Sequence, residues 1–146
     1  MSSKVKTGAN YINSRYGQME AIDNGYDLAL FMNHNKNLTE SGGSSVGLIQ
    51  HNNLIFPKLT DSVLDSVTRQ IILKIAPKLD LKPLIKSISE DEVFSSDEIF
   101  ICGSSAEIQQ ITHIDKKEIK RSYSNSLIPA LHKEYISFCT NAANRD

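Results

Sequence analysis

The sequence predicts a mixed fold of the α/β or α+β class, and three observations predict it. Short apolar runs bounded by Gly, Asn and Ser are typical of strands. Other stretches carry apolar residues at the three- and four-residue spacing of helices. Both kinds alternate along 146 residues, a length that suits one domain, so we expect residues 1–146 to form a single domain.

Helices are predicted where apolar periodicity meets capping residues. Asn10 is a candidate N-cap for an amphipathic helix over residues 11–24, and Gly25 suits its C′ position, where a positive φ is required. Ser89 and Glu92 have the spacing of a capping box. A second helix is expected to begin near Ser66 and to be bent or ended early by Pro77, and the last helix is expected over 124–138.

The strand predictions rest on the apolar runs and on the turn residues between them. An Asn52-Asn53 turn is expected to join two strands, since Asn tolerates a positive φ. Pro83 indicates an edge strand or an irregular entry to the strand. The predicted strands are buried runs at 28–32 and 99–102 and extended segments at 38–40, 46–50, 54–56, 81–88 and 108–111.

The composition excludes several classes of protein. Hydrophobic residues make up 40% and charged residues 23% of the chain, which is ordinary for a globular protein, and the net charge of -1 gives no electrostatic case for nucleic acid or an anionic membrane. No apolar run approaches the ~18 residues of a membrane span, and the start of the chain lacks a secretory h-region. The two cysteines and four histidines have no metal-ligand spacing, so we expect no metal site, reduced thiols and a cytoplasmic location.

Four local features could carry chemistry, although each has an ordinary structural explanation. Lys6 precedes a helix, Glu40 leads into a Gly/Ser loop, residues 66–69 open a helix, and residues 103–105 follow a buried strand. Taken singly, they suggest a solvated charge, a turn carboxylate, a helix cap and a turn.

In this order and at these separations, the four features resemble the fold-type IV pyridoxal-phosphate (PLP) enzymes, the class IV aminotransferases, and among them the branched-chain aminotransferases. The resemblance covers about four-fifths of the chain and aligns almost without gaps from Lys6 to Asp115. It implies the large domain of the D-amino-acid-aminotransferase-like fold, a mixed sheet or pseudo-barrel with flanking helices. The matching stretches are VKTGANYINS at 5–14, EAIDNGYDLALFM at 20–32, LTESGGSSVGLIQHNNLIFP at 38–57, DSVLDSVTRQIILKIA at 61–76 and DEIFICGSSAEIQQITHID at 97–115.

The resemblance implies how the cofactor ring is held. Lys6 matches the lysine that forms the Schiff base with PLP and shuttles a proton at the substrate α-carbon. Glu40, 34 residues later, matches the carboxylate at the ring nitrogen, where a negative charge keeps the pyridinium protonated. Tyr11 matches the tyrosine that hydrogen-bonds the ring phenolate oxygen.

The resemblance also implies the phosphate and substrate contacts. Val67 and Thr68 match a pair at a helix N-terminus, where free N–H groups and the helix dipole favour an anion. Ser104 matches a third, hydroxyl-bearing phosphate ligand. Ser105 matches a position whose backbone N–H contacts the substrate carboxylate.

The chain departs from the family pattern around the phosphate end. The usual E-G-x-G-x-N reads Glu40 to Ser45, with serine in place of the asparagine. The usual P-G-I-T-R, G-T-A and I-T-P-V read D-S-V-T-R at 65–69, G-S-S at 103–105 and I-Q-Q-I at 108–111. The lysine and the ring-nitrogen carboxylate are kept, so the changes suggest relaxed constraint at the phosphate.

Family enzymes are about twice this long, and a smaller N-terminal domain normally precedes the lysine and completes the cleft. We therefore expect this chain to be the C-terminal large domain without the small one. Apolar residues that would line the cleft are then expected to meet water and to favour a homodimer.

Two functions from different classes remain open. The first is PLP-dependent transamination of branched-chain or aliphatic amino acids with 2-oxoglutarate. The second is a non-catalytic remnant that keeps the fold and binds PLP weakly at most. Within the family, D-amino-acid transaminases and a lyase of folate synthesis share the scaffold, but residues 8–11 favour the branched-chain group.

Overall fold

The protein is described from a computed structural model, in which residues 5–120 and 125–141 are placed. Four helices and nine strands are assigned in these ranges, together with 3₁₀ turns at Leu59–Asp61 and Ala76–Leu79. The helices are α1 Gly8–Asp23, α2 Val67–Ile75, α3 Glu90–Ser95 and α4 Ile128–Thr140. The strands are β1 Leu30–Met32, β2 Leu38–Ser41, β3 Ser45–Gln50, β4 Asn53–Phe56, β5 Lys82–Ile85, β6 Glu98–Gly103, β7 Glu107–Ile111, β8 His113–Ile114 and β9 Lys117–Glu118.

Seven strands form one mixed sheet around β3, which confirms the predicted mixed α and β class. β3 pairs antiparallel with β2, β4 and β6, and β6 pairs antiparallel with β7. β5 lies parallel to β4 at an edge of the sheet, as Pro83 predicts, and the four residues of β5 are exposed. β8 and β9 form a separate two-stranded ribbon.

The sheet separates two apolar clusters because side chains alternate along each strand. Phe100 and Cys102 of β6 belong to the cluster that α2 and α4 cover, whereas Ile99 and Ile101 belong to the cluster that Val93 of α3 joins. A residue without a side chain is required at Gly47, which faces Phe100 across the β3–β6 ladder. A Cβ atom there would lie 2.4 Å from Phe100 Cζ.

Several local predictions are confirmed. Ser66 caps α2 and accepts a hydrogen bond from the backbone N–H of Arg69, and both halves of the capping box at Ser89 and Glu92 are formed. Gly25 follows α1 with a φ of +83°. α4 begins at Ile128, and residue 124, where that helix was predicted to start, lies outside the described residues.

Other local predictions were wrong in detail. α1 begins at Gly8 with Thr7 as its N-cap, so Asn10 lies inside the helix, where its side-chain amide donates to the Val5 carbonyl. The β3–β4 turn is His51-Asn52 rather than Asn52-Asn53, and the positive φ of +55° falls on His51. The predicted buried strand at 28–32 is reduced to β1, which is only half-buried.

The apolar residues of α1 are exposed, contrary to the expectation that an amphipathic helix buries its apolar face. α1 contains no buried residue.

None of the helices in the described part of the chain has the length and apolar character needed to cross a bilayer.

Candidate active site

A cavity of about 660 Å³ lies where the entry to α1, the β2–β3 turn, the N-terminus of α2 and the end of β6 meet. We call it the candidate cofactor cavity. Its size falls within the range of small-molecule sites, about 300–1,000 Å³. The residues that line it are Val5, Lys6, Thr7, Asn10, Tyr11, Asn13, Ser14, Phe31, Met32, Asn33, His34, Thr39, Glu40, Ser41, Gly42, Gly43, Ser44, Ser45, Ser62, Leu64, Asp65, Ser66, Val67, Thr68, Cys102, Gly103 and Ser104.

Six of the seven residues singled out in the sequence line this one cavity. They are Lys6, Tyr11, Glu40, Val67, Thr68 and Ser104. The seventh, Ser105, follows Ser104 in the turn after β6 and is exposed, outside the lining. Segments that are far apart in the chain therefore meet around one space, as the resemblance implies, although their chemical roles stay predictions.

Lys6 reaches the cavity from an exposed segment just before α1. Two hydrogen bonds to the Val5 carbonyl close this segment onto the helix: the Thr7 N–H donates at 3.0 Å and the Asn10 side-chain amide donates at 2.9 Å. Lys6 and Glu40 consequently face the same cavity from different elements.

The carboxylate of Glu40 is held by the chain that leads into α2. Its Oε1 accepts a hydrogen bond from the Leu64 backbone N–H at 2.8 Å, and no hydrogen bond between described residues uses its Oε2. Burial raises the pKa of Glu40, and this effect outweighs the Leu64 N–H bond and the charge of Arg69, which both lower it. A cationic N–H donor placed in the cavity would oppose the effect of burial.

Arg69 is a buried charge behind this wall of the cavity. Arg69 is 2% exposed. Its guanidinium donates to Asp65 Oδ1 at 2.7 Å and to the Pro57 carbonyl at 3.3 Å, and it lies 5.5 Å from the ring centroid of Phe56. The Asp65 carboxylate lines the cavity at the entrance to α2, where a negative charge would repel an anionic ligand. The ion pair with Arg69 reduces that repulsion.

The N-terminus of α2 lines the cavity with Ser66, Val67 and Thr68, and the first backbone N–H groups of a helix have no partner within the helix. Ser66 caps the helix, Val67 is 69% exposed and Thr68 is buried. The first turn of this helix, all of it described, carries no acidic side chain. A helix start of this kind is suited to a phosphate group.

Two groups on the cavity wall were not predicted as site residues. Ser45, the serine in place of the family's asparagine, places its Oγ 3.0 Å from the Ser66 Oγ and so ties β3 to the cap of α2. Cys102 also lines the cavity, and burial raises the pKa of its thiol to about 12, so the thiol stays protonated at neutral pH. The departure from the family loop indicated Ser45, whereas no local pattern indicated Cys102.

A second and larger cavity, about 830 Å³, lies between α1, α3 and the β7–β8 segment. No predicted site residue lines it. Within the described ranges, no group of three or more His, Cys, Asp or Glu side chains is arranged to hold a metal ion. The predicted site residues that line a cavity therefore all line the candidate cofactor cavity.

Comparison with known proteins identifies the family of this chain. The family model described as amino-transferase class IV matches residues 2–114. The chain belongs to the class IV aminotransferase family. A probable branched-chain-amino-acid aminotransferase of Aquifex aeolicus is 28% identical over 141 residues, and a branched-chain-amino-acid aminotransferase of Pseudomonas aeruginosa is 30% identical over 133 residues.

Solved structures of family members share the fold. The PLP form of a branched-chain amino acid aminotransferase from Thermobaculum terrenum superposes with a TM-score of 0.91 at 32% identity. The branched-chain aminotransferase from Thermoproteus uzoniensis with norvaline superposes with a TM-score of 0.90 at 27% identity. Each match covers 99% of this chain and 48% of the other.

The chain spans about half the length of the relatives that it matches. The alignments cover 96% and 91% of this chain but 44% and 43% of the Aquifex aeolicus and Pseudomonas aeruginosa proteins. The activity of a complete family enzyme is therefore only a proposal for this 146-residue chain.

Proposed function

We propose that this chain binds PLP in the candidate cofactor cavity and takes part in transamination between branched-chain or other aliphatic amino acids and 2-oxoglutarate, with Lys6 as the catalytic lysine. One observation carries the proposal: Lys6, Tyr11, Glu40 and the N-terminus of α2 line a single cavity. Membership of the class IV aminotransferases and the branched-chain names of the relatives supply the reaction class.

The donor set of the cavity fits PLP, which carries an aldehyde, a basic ring nitrogen and a phosphate. Lys6 supplies a primary amine, Glu40 a carboxylate with one oxygen unused by described residues, and α2 free N–H groups. When bound, PLP supplies an electron sink for the bond that breaks at the substrate α-carbon. These are the three kinds of group that the cofactor needs around it.

The residues around the cofactor ring then have distinct roles. Lys6 holds the cofactor through its amine and moves a proton at the substrate α-carbon. The Glu40 carboxylate accepts a hydrogen bond from the protonated ring nitrogen, which compensates for its own burial. The Tyr11 hydroxyl donates to the ring oxygen.

The phosphate end is held by neutral donors. The backbone N–H groups of Val67 and Thr68 and the hydroxyl of Ser104 bind the phosphate, and the Ser105 backbone N–H binds the substrate carboxylate. We further propose that the 146 residues correspond to the large domain of the family enzymes, that the chain is cytoplasmic and that it forms a homodimer.

Turnover separates this function from that of a non-catalytic remnant. The chain is incubated with PLP, leucine and 2-oxoglutarate, and glutamate is measured. We expect glutamate from the native chain and from Lys36→Ala, whose lysine lies outside the cavity, and none from Lys6→Ala. PLP binding without glutamate from any variant would support the remnant and overturn the proposed activity.

Cofactor affinity tests the binding half of the proposal by itself. Visible absorbance is titrated with PLP for the native chain and for Lys6→Ala. We expect a visible absorbance band that saturates with PLP for the native chain and no such band for Lys6→Ala. No band at any PLP concentration would contradict the assignment of this cavity to PLP.

A further inference from the structure

The helix α4 packs against α2 and against the β6–β7 hairpin, the two elements that carry the proposed phosphate contacts. Leu131 and Tyr135 of α4 belong to the same apolar cluster as Ile72 of α2 and Ile108 of β7. All residues of α4 are described, and none of them lines the candidate cofactor cavity. The helix can therefore affect a ligand in that cavity only through the residues that it contacts.

One side chain of α4 holds the turn between β6 and β7, which carries Ser104. His132 Nε2 donates to Glu107 Oε2 at 2.7 Å. Among the described residues, this is the only side-chain hydrogen bond made by residues 103–107. Glu107 has a φ of +53°, in the left-handed region that residues other than Gly rarely adopt, so its backbone depends on the contacts around it. The bond to His132 therefore fixes the end of the turn.

A second side chain of α4 contacts the first turn of α2. Tyr135 is buried, and its hydroxyl forms a hydrogen bond with the side chain of Thr68, which is also buried. Burial raises the pKa of the Tyr135 phenol, and the Thr68 bond opposes this effect. Because its side chain is bound to Tyr135, Thr68 is expected to meet a ligand through its backbone N–H group, as the proposed function requires.

The position of α4 is fixed at its start, so these two contacts have a constant spacing. The buried Glu98 carboxylate of β6 accepts hydrogen bonds from the Leu127 N–H at 3.0 Å and from the Ser126 hydroxyl. Further along the helix, His132 and Tyr135 are three residues apart and so lie on neighbouring positions of one side of α4. The helix thus links the β6–β7 turn to the N-terminus of α2.

We propose that His132 and Tyr135 are positioning residues for the phosphate of the bound cofactor. His132 acts through Glu107 on the turn that carries Ser104, and Tyr135 acts through Thr68 on the N-terminus of α2. One phosphate group accepts hydrogen bonds from both segments, so its affinity depends on the spacing between them, which α4 sets before the ligand binds. The inference rests on the proposed function, since these phosphate contacts exist only if PLP occupies the cavity.

A comparison of PLP with pyridoxal, which lacks the phosphate, separates this role from general stability. Visible absorbance is titrated with each compound for the native chain, His132→Ala, His132→Gln and Tyr135→Phe. We expect His132→Ala and Tyr135→Phe each to weaken PLP binding by about tenfold, the equivalent of one hydrogen bond, and to leave pyridoxal binding unchanged. His132→Gln keeps an N–H donor, so it is expected to restore most of the PLP affinity.

Glu134→Ala is the matched control, since it removes a surface ion pair between α4 and Lys78 that involves neither phosphate segment. It is expected to bind both compounds as the native chain does, and circular dichroism checks that each variant is folded. Equal weakening of PLP and pyridoxal in His132→Ala and Tyr135→Phe, or native affinity for both compounds in those variants, would overturn the inference and leave the proposed function intact. A native chain that binds PLP no more tightly than pyridoxal would also overturn the inference. A native chain that binds neither compound would overturn the proposed function, and this inference with it.

Discussion

The side-chain oxygens of Ser45 and Ser66 lie 3.0 Å apart, although 21 positions separate the two residues in the chain. Ser45 begins β3 and Ser66 caps α2, so this contact joins the sheet to the helix N-terminus that faces the cavity. The same Ser66 oxygen accepts the Arg69 N–H at 3.2 Å. One hydroxyl group therefore supports both the cap and the wall of the site.

Ser66→Ala is expected to weaken both the helix and the cavity. Loss of an N-cap costs about 1 kcal/mol of unfolding free energy, measured by urea denaturation. PLP affinity, measured by absorbance titration, is expected to fall as well. Ser89→Ala is the matched control, since Ser89 caps α3 away from the cavity and should lower stability alone. Equal loss of PLP affinity in both variants would show that the Ser66 effect is only global.

Glu40→Gln is expected to change how stability depends on pH. Burial raises the pKa of Glu40 in the folded state, so its contribution is present at low pH and is lost as pH rises through that raised pKa. Native stability relative to Glu40→Gln should therefore fall as pH rises from about 4, the ordinary carboxyl range, toward 7. Urea denaturation at each pH measures this difference. A native chain that gains stability relative to Glu40→Gln across that range would show that the pKa of Glu40 is not raised by folding.

Glu98→Gln is expected to detach the start of α4. The fully buried Glu98 carboxylate accepts hydrogen bonds from the Ser126 hydroxyl and from the Leu127 N–H at 3.0 Å. In Glu98→Gln the NH2 group of the amide would face the Ser126 and Leu127 donors. We expect the unfolding free energy to fall by about 2 kcal/mol, the value of hydrogen bonds to a charged group. Thermal or urea unfolding measures this loss. Glu134→Gln breaks only the exposed pair with Lys78 and is expected to cost less than about 1 kcal/mol. Similar losses in both variants would contradict the anchoring role.

The two cysteines are expected to differ in reactivity. Burial raises the pKa of Cys102 to about 12, whereas Cys139 is exposed on α4. Iodoacetamide at neutral pH should modify Cys139 in the folded chain and both thiols after denaturation, because the thiolate is the reactive form. Mass spectrometry of the alkylated peptides measures this. Rapid modification of Cys102 in the folded chain would show that the cavity wall at that residue is open.

The features predicted best from sequence are those whose cause is local. The capping box at Ser89 and Glu92 and the positive φ of Gly25 depend on a few adjacent residues, and both are formed as predicted. Asn10 is a residue type that often caps helices, but α1 begins two residues earlier, at Gly8. The Asn10 side-chain amide therefore lies inside the helix, where it donates to the Val5 carbonyl. Capping preference alone could not distinguish the two positions.

The features that could not be predicted depend on distant contacts. The parallel pairing of β4 with β5 and the place of β6 beside β3 follow from packing across the whole sheet. The exposure of the apolar residues of α1 also has no local signal, since the periodicity of Ile12, Tyr16 and Met19 is the same whichever way the helix faces. The convergence of Lys6 with Glu40 on one cavity was implied by the family resemblance and not by either residue alone.

Chemical trapping identifies the lysine that holds PLP. The native chain is mixed with PLP, reduced with borohydride so that the cofactor stays on whichever lysine holds it, digested and mapped by mass spectrometry. We expect one dominant pyridoxyl group, on Lys6. At the same PLP concentration, the label on Lys6 is expected to be weaker or absent in Glu40→Gln. Labelling spread over the exposed lysines, with Lys6 no more modified than Lys36, would contradict this expectation.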